Sequence, residues 1–173
     1  MTPFLLSQIL IGFAICFDMF SFQFKDRNKI VFCLFCSAIL ISSHFILLEQ
    51  YTAAGLTAIA AVRFIISIYS TSKKFMFVFL ATSFIVTFIT YSGVLSILSY
   101  LGASVNTVAS FCKEDKHLRI IMIVGTLFWI LHNYLANTPA AMLMELLFLS
   151  SNLVGYYRHY IRPVKIKIKA DNN

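Results

Sequence analysis

FMFVFLATSFIVTFITYSGVLSILSYLGASVNTVASFC, residues 75–112, carries no charged residue and is interrupted by a Ser-Gly break at positions 92 and 93. Read as one membrane span, it gives a chain of six helices. Read as two, 75–91 and 94–112, it gives seven. The distribution of charge decides between them. Of the 14 Lys and Arg residues, Arg63 lies inside an apolar stretch. The other 13 sit in KDRNK (25–29), TSKK (71–74), KEDKHLR (113–119) and the tail RHYIRPVKIKIKADNN (158–173). Seven spans put all four basic segments on one side of a membrane, and merging 75–112 destroys that agreement.

The rest of the chain demands a membrane. Hydrophobic residues make up 60% of the 173 positions and charged residues only 12%, with a mean hydropathy of +0.84. A soluble domain of that composition lacks the polar groups to cover its surface. Apolar runs of the length needed to cross roughly 30 Å of hydrocarbon recur along nearly the whole sequence. The expected spans are 4–24, 30–48, 52–70, 75–91, 94–112, 119–136 and 140–157. The opening MTPFLLSQILIGFAICFDMF has no basic n-region and no small-residue cleavage site, so it reads as a retained first span. By the positive-inside rule the N-terminus faces out and the C-terminus faces the cytoplasm. The net charge of +7 is then explained without nucleic acid. The tail, residues 158–173, suits anionic lipid headgroups at about 1 kcal/mol for each Lys or Arg near the surface.

A shift of 88 residues places Lys25 on Lys113, Asp26 on Glu114, His44 on His132 and Tyr69 on Tyr157, with Asp18 opposite Asn106. Together with the span pattern this predicts an all-α membrane protein of two parallel three-helix bundles, residues 4–70 and 94–157, joined by a linker helix at 75–91. An odd number of spans between equivalents keeps the two copies parallel. The linker carries no ionisable residue.

Polar groups inside lipid are costly, at roughly 2.5 to 3.5 kcal/mol or more at a helix centre, and face the bundle interior or a cavity. Counted at about 1.5 Å per residue from the cytoplasmic ends, Asp18, Arg63, Asn106 and Asn152 fall roughly 8 to 11 Å deep. They form a candidate substrate-binding layer. From the outer ends, His44, His132 and Glu145 fall roughly 6 to 8 Å deep with Asn133 beside them, a candidate gating or proton-relay layer. Asp18 is expected to pair with Arg63, the alternative for Arg63 being to snorkel to the interface. Glu145 is expected to accept a hydrogen bond from His132 or His44, or to stay protonated. The small residues of TAAGLTAIAA, 52–61, let the third helix approach its neighbours closely.

The segments HFILLEQYTAAGLTAIAAVRFII (44–66) and WILHNYLANTPAAMLMELLFLSSNLVGYYR (129–158) resemble the YgjV-type bacterial inner membrane proteins. His132-Asn133-Tyr134 and the spacing of Glu145, Phe148 and Asn152 are the most specific part of that resemblance. It implies a multi-pass location in the bacterial inner membrane and no particular activity. The three-plus-one-plus-three organisation is similar to that of SWEET and PQ-loop transporters, which implies a solute pathway between two triple-helix bundles. In those proteins the first helix of each bundle carries a Pro-Gln hinge or comparable proline, and none occurs here, while Asn152 matches the asparagine that the third helix often offers to substrate.

The sequence thus reads as a small-solute transporter for a small polar or anionic solute. The alternative is a membrane scaffold or assembly partner whose polar layers only specify packing. Neither H-E-x-x-H nor G-x-S-x-G is present, so no enzyme, catalytic residue, metal or cofactor is expected. The C-x-x-C of Cys33 and Cys36 has no second pair, and a homo-oligomer is left open.

Overall fold

The computed structural model describes residues 3–162; residues 163–173, most of the expected basic tail, lie outside them. Seven α-helices follow one another: α1 (Pro3–Ser21), α2 (Arg27–Leu47), α3 (Tyr51–Tyr69), α4 (Lys73–Ile89), α5 (Val94–Ser110), α6 (Asp115–Leu135) and α7 (Pro139–Tyr156), the last running into a π-helical turn at Tyr157–Ile161. Each expected span is one helix. Five segments, Phe4–Ser21, Arg27–Leu47, Tyr51–Tyr69, Asp115–Leu135 and Pro139–Ile161, are long and apolar enough to cross a membrane. Helices α4 and α5 have 17 residues each, about 25 Å of rise.

Residues 75–112 break where the Ser-Gly signal stands. Gly93 takes φ +101°, a conformation that side chains with a Cβ rarely adopt. The Ser92 amide donates to Ser96 Oγ at 3.0 Å, which starts α5. Elsewhere the starts are conventional. Asp26 caps α2 by accepting from the Asn28 amide at 2.9 Å, Ser72 caps α4, and Pro139 opens α7, where its missing N–H costs nothing.

Six helices form a closed ring through the contacts α1–α2, α2–α3, α3–α5, α5–α6, α6–α7 and α7–α1; α4 lies outside, against α3 and α5. The ring is apolar outward. Phe13, Phe20, Phe77 and Phe88 are all exposed, while Ser7, Asp18, Ser37, Arg63, Thr107 and Asn152 are buried. This inversion fits a chain whose solvent is lipid, because hydroxyls and small side chains tie helices together where no hydrophobic driving force exists between them. Ser42 Oγ donates to the Ala54 carbonyl at 3.0 Å, Thr52 Oγ1 to Thr90 at 2.7 Å and Ser151 Oγ to Met19 at 3.0 Å, joining α2 to α3, α3 to the end of α4, and α7 to α1.

The turns after α2 and α6 match atom for atom. Glu49 and Asn137, 88 positions apart, both adopt positive φ, 59° and 53°. Gln50 N donates to Phe45 O and Thr138 N to Asn133 O, each at 3.0 Å, and Leu48 N to His44 O matches Ala136 N to His132 O.

At the opposite, basic end, two arginines cross between halves of the ring. Arg119 of α6 donates from Nη1 to the carbonyl of Phe22 at 3.3 Å and from Nη2 to that of Phe24 at 2.7 Å, just past α1. Arg27 of α2 donates from Nη2 to Ser110 and from Nε to Cys112, the carbonyls 88 positions further on, and from Nη1 to Ser67 at the end of α3. The last carbonyls of a helix have no partner within it, and a guanidinium supplies a fork of donors to them. The sequence groups Arg119 with the basic charges expected at the membrane surface. It is instead fully buried in α6, held at Nε by Asp115. Room for it comes from Gly155, where a Cβ would collide with the guanidinium and lie 2.6 Å from Phe22 O.

Arg119→Met should therefore lower the unfolding free energy by about 2 kcal/mol, the cost of stranding carbonyls that a charged donor had satisfied. Lys25→Met, at an exposed position, should change it by less than about 0.5 kcal/mol. Thermal unfolding of the two purified variants checks the contrast.

Candidate functional site

A cavity of about 80 Å³ lies inside the ring, with lining residues from all six ring helices. That volume admits several waters. It is set between two apolar clusters. Leu34, Phe64, Met122 and Phe148 belong to the cluster toward the basic end, and Phe45, Leu56, Ala103 and Trp129 to the other. All eight also face the cavity. Its polar groups are few: Asp18 from α1, Ser37 from α2, Thr57 and Arg63 from α3, Asn106 from α5 and Glu145 from α7.

Three of the four residues expected in the inner layer thus meet at one void. Arg63 is 1% exposed. Its guanidinium does not snorkel, and it does not pair with Asp18. Nη1 instead donates to Thr107 Oγ1 at 2.6 Å and to the Ala103 carbonyl at 3.3 Å, the hydroxyl in turn donating a hydrogen bond to that same carbonyl at 2.7 Å. The small residues of α3 bring it close enough to α5 for the arginine to be held there, 4.8 Å over the ring of Phe64. Nε has no partner. Asp18, 4% exposed, faces the cavity beside Ser37, whose hydroxyl donates to the Ala14 carbonyl at 3.4 Å.

Asn106 reaches the cavity beside Gly125. A Cβ there would strike the amide, and Oδ1 of Asn106 is buried without a partner. Asn152 does not join the layer. It is fully buried, and its Nδ2 donates to the Arg119 carbonyl at 2.9 Å, so that it ties α7 to α6.

The outer layer separates likewise. Glu145 makes no ion pair with His44 or His132; helix α7 turns it onto the cavity that Asp18 also lines. His44 donates from Nδ1 to the Ser7 carbonyl at 3.0 Å, which fixes its tautomer, since a carbonyl only accepts. His132 Nδ1 lies 3.1 Å from Asn133 Oδ1, and Thr138 Oγ1 lies 3.3 Å from the same oxygen. The two imidazoles flank Phe45 at centroid distances of 5.3 and 6.2 Å, and Trp129 packs on His132 at 5.3 Å.

A second pocket of about 440 Å³ opens at that end. It is lined by Gln50, Thr52, Ser92, Ser96, Ser99 and His132 among others. Phe45 and Trp129 face the central cavity while His132 faces this pocket, so the three rings form the partition between them. Gly102 lets the indole seat, because a Cβ there would fall 2.8 Å from it.

Sequence reading missed Thr107, which holds Arg63, because hydroxyl residues occur throughout these helices and none stands out. Arg119 carried a signal in its place, at the first position of an expected span instead of the loop before it.

A ring of buried-polar, lipid-faced helices defines an integral membrane protein of the multi-pass class. The chain belongs to the Imp-YgjV family, described as bacterial inner membrane protein, which it matches over residues 5–162. It is similar to the inner membrane protein YgjV of Escherichia coli strain K12, at 25% identity over 167 residues covering 95% of this chain and 91% of that protein. No solved structure matches.

Arg63 has no acidic partner within ion-pair distance, and its acceptors are a hydroxyl and a carbonyl already bonded to each other. Removing it strands nothing. Arg63→Met should leave stability unchanged within about 1 kcal/mol or raise it, as when buried charges give way to apolar groups. A loss of several kcal/mol on thermal unfolding would instead make the arginine a structural element.

Proposed function

We propose that the protein is a small-solute transporter whose substrate occupies the central cavity, and that it performs no chemistry on it. The observation that carries this reading is the convergence of Asp18, Arg63, Asn106 and Glu145 from four helices on one void, with polar atoms that the protein leaves unpartnered. Buried charges in lipid-faced bundles mark solute pathways more often than packing.

In the same reading the chain is two three-helix repeats, α1–α3 and α5–α7, with α4 as the inverting linker, the N-terminus out and the basic end in the cytoplasm. The ring supports this, since its contacts map onto themselves when α1, α2 and α3 exchange with α5, α6 and α7. So do the matched turns and the crossed arginines. Phe45, Trp129 and His132 would form the outer gate, the 440 Å³ pocket its vestibule, and the Arg27 and Arg119 caps the closure toward the cytoplasm. The bond of His44 to the Ser7 carbonyl favours a tie between α2 and α1 over a proton relay for that residue, while His132 bonds to Asn133 within its own helix.

Thermal stability of the purified protein against sugars, nucleosides, vitamins and organic acids tests the site, because a ligand of the native state raises the melting temperature. At least one class is expected to do so, with the rise abolished by Ala60→Leu, which fills the cavity, and reduced by Arg63→Ala. Rises that neither variant alters would place binding elsewhere. In liposomes, Trp129→Ala is expected to raise the leak of the same solute by removing the largest ring of the partition, and an unchanged leak would remove it as a gate.

A further inference from the structure

The ionisable groups on the cavity are of both kinds, one base and two acids, and form no ion pair with one another. Among the described residues the ion pairs are Glu114 with His117 and Asp115 with Arg119, all at the basic end. Arg63 therefore lines the same space as Asp18 and Glu145 at more than an ion-pair distance from either. The guanidinium spends Nη1 on neutral acceptors and keeps Nε free, although the residue is 99% shielded from solvent. Asn106 Oδ1 on the same wall is also unpartnered.

Isolated charges in a low-dielectric interior are strongly disfavoured unless something of opposite sign completes them. Here the completing groups are not in the protein. A neutral sugar brings no charged partner to Arg63 or to either carboxyl. A simple anion would satisfy Arg63 while facing two carboxyls, and a simple cation would leave Arg63 alone.

We propose that the cavity binds a small zwitterion, an α-amino acid with a hydrogen or short apolar side chain. Its carboxylate sits on Arg63, where the fork of N–H donors suits a carboxylate. Its ammonium lies between Asp18 and Glu145, with Asn106 Oδ1 as a further acceptor. Leu34, Phe45, Leu56 and Met122 give the remaining wall an apolar character, and about 80 Å³ limits the side chain to a few carbons. This assignment rests on the transporter reading and names its substrate class.

The test is binding to the full-length protein in detergent, by melting-temperature shift and by equilibrium binding of labelled ligand. The probes are glycine, alanine and valine, with propionate and propylamine as the two half-molecules. Alanine is expected to bind at least tenfold more tightly than either half, with Arg63→Gln and Asp18→Asn each weakening it tenfold or more, or about 1.4 kcal/mol. Each variant's own melting temperature establishes that it is folded, and Arg63→Lys, which keeps the charge, is expected to retain part of the affinity. Propionate binding as tightly as alanine would overturn the zwitterion, leaving an anion site. Alanine binding indifferent to both Arg63→Gln and Asp18→Asn would overturn it too. A sugar or organic acid whose binding is lost in Ala60→Leu, with no amino acid bound, sinks the substrate class and spares the transporter. If no compound binds the folded wild-type protein, both readings fall.

Discussion

Two guanidinium groups, reaching across the ring to carbonyls that helices leave open, fix the basic end of this structure. Arg119 closes the end of α1 and Arg27 the ends of α5 and α3. A helix end within or near lipid has no water to satisfy its carbonyls. Donors must come from another helix, and arginine alone offers several from one planar group. The consequence is architectural: α1 cannot drift from α6, nor α2 from α5 and α3. With these ends held, the six helices close into a ring and a void is left along its axis.

The void contrasts with the caps in one respect. Every donor of the caps described above meets a backbone carbonyl or carboxylate, and the arginines there are consumed by folding. Arg63 is as deeply buried as Arg119, yet its bonds run to a hydroxyl and a carbonyl that already satisfy each other. The same residue type thus stands once where the helices need it and once where they do not. That difference singles out the cavity as the place where the fold has been held to another purpose. The two apolar clusters on either side of it keep the helices packed tightly enough for a charged group to remain there.

Much of the helical framework was legible in the chain. The Ser-Gly break at residues 92 and 93 ended one helix and began another because Gly93 alone tolerates its backbone angle. The basic segments KDRNK, TSKK and KEDKHLR marked three further boundaries to within a few residues. Counting depths along helices brought Asp18, Arg63 and Asn106 to one level. It erred for Asn152 and Glu145, because depth says nothing of the direction a side chain takes around its helix. Asn152 turned to the backbone of α6, and Glu145 turned to the cavity. Pairing Asp18 with Arg63 assumed that opposite charges at one depth meet. A hydroxyl on α5 took the guanidinium, while the Asp18 carboxyl was left facing the cavity.

What the sequence determined by itself is the solvent and the helices: apolar runs of spanning length, interrupted by short polar breaks, admit no other structure in lipid, where each backbone group must be satisfied within its own segment. Which side chains meet was decided only by tertiary structure. Lipid supplies no strong hydrophobic force between helices, so their rotation and contacts follow from small-residue packing and from particular hydrogen bonds. Gly125 makes room for Asn106, Gly155 for Arg119 and Gly102 for Trp129, each a fit between distant positions that no local pattern announces.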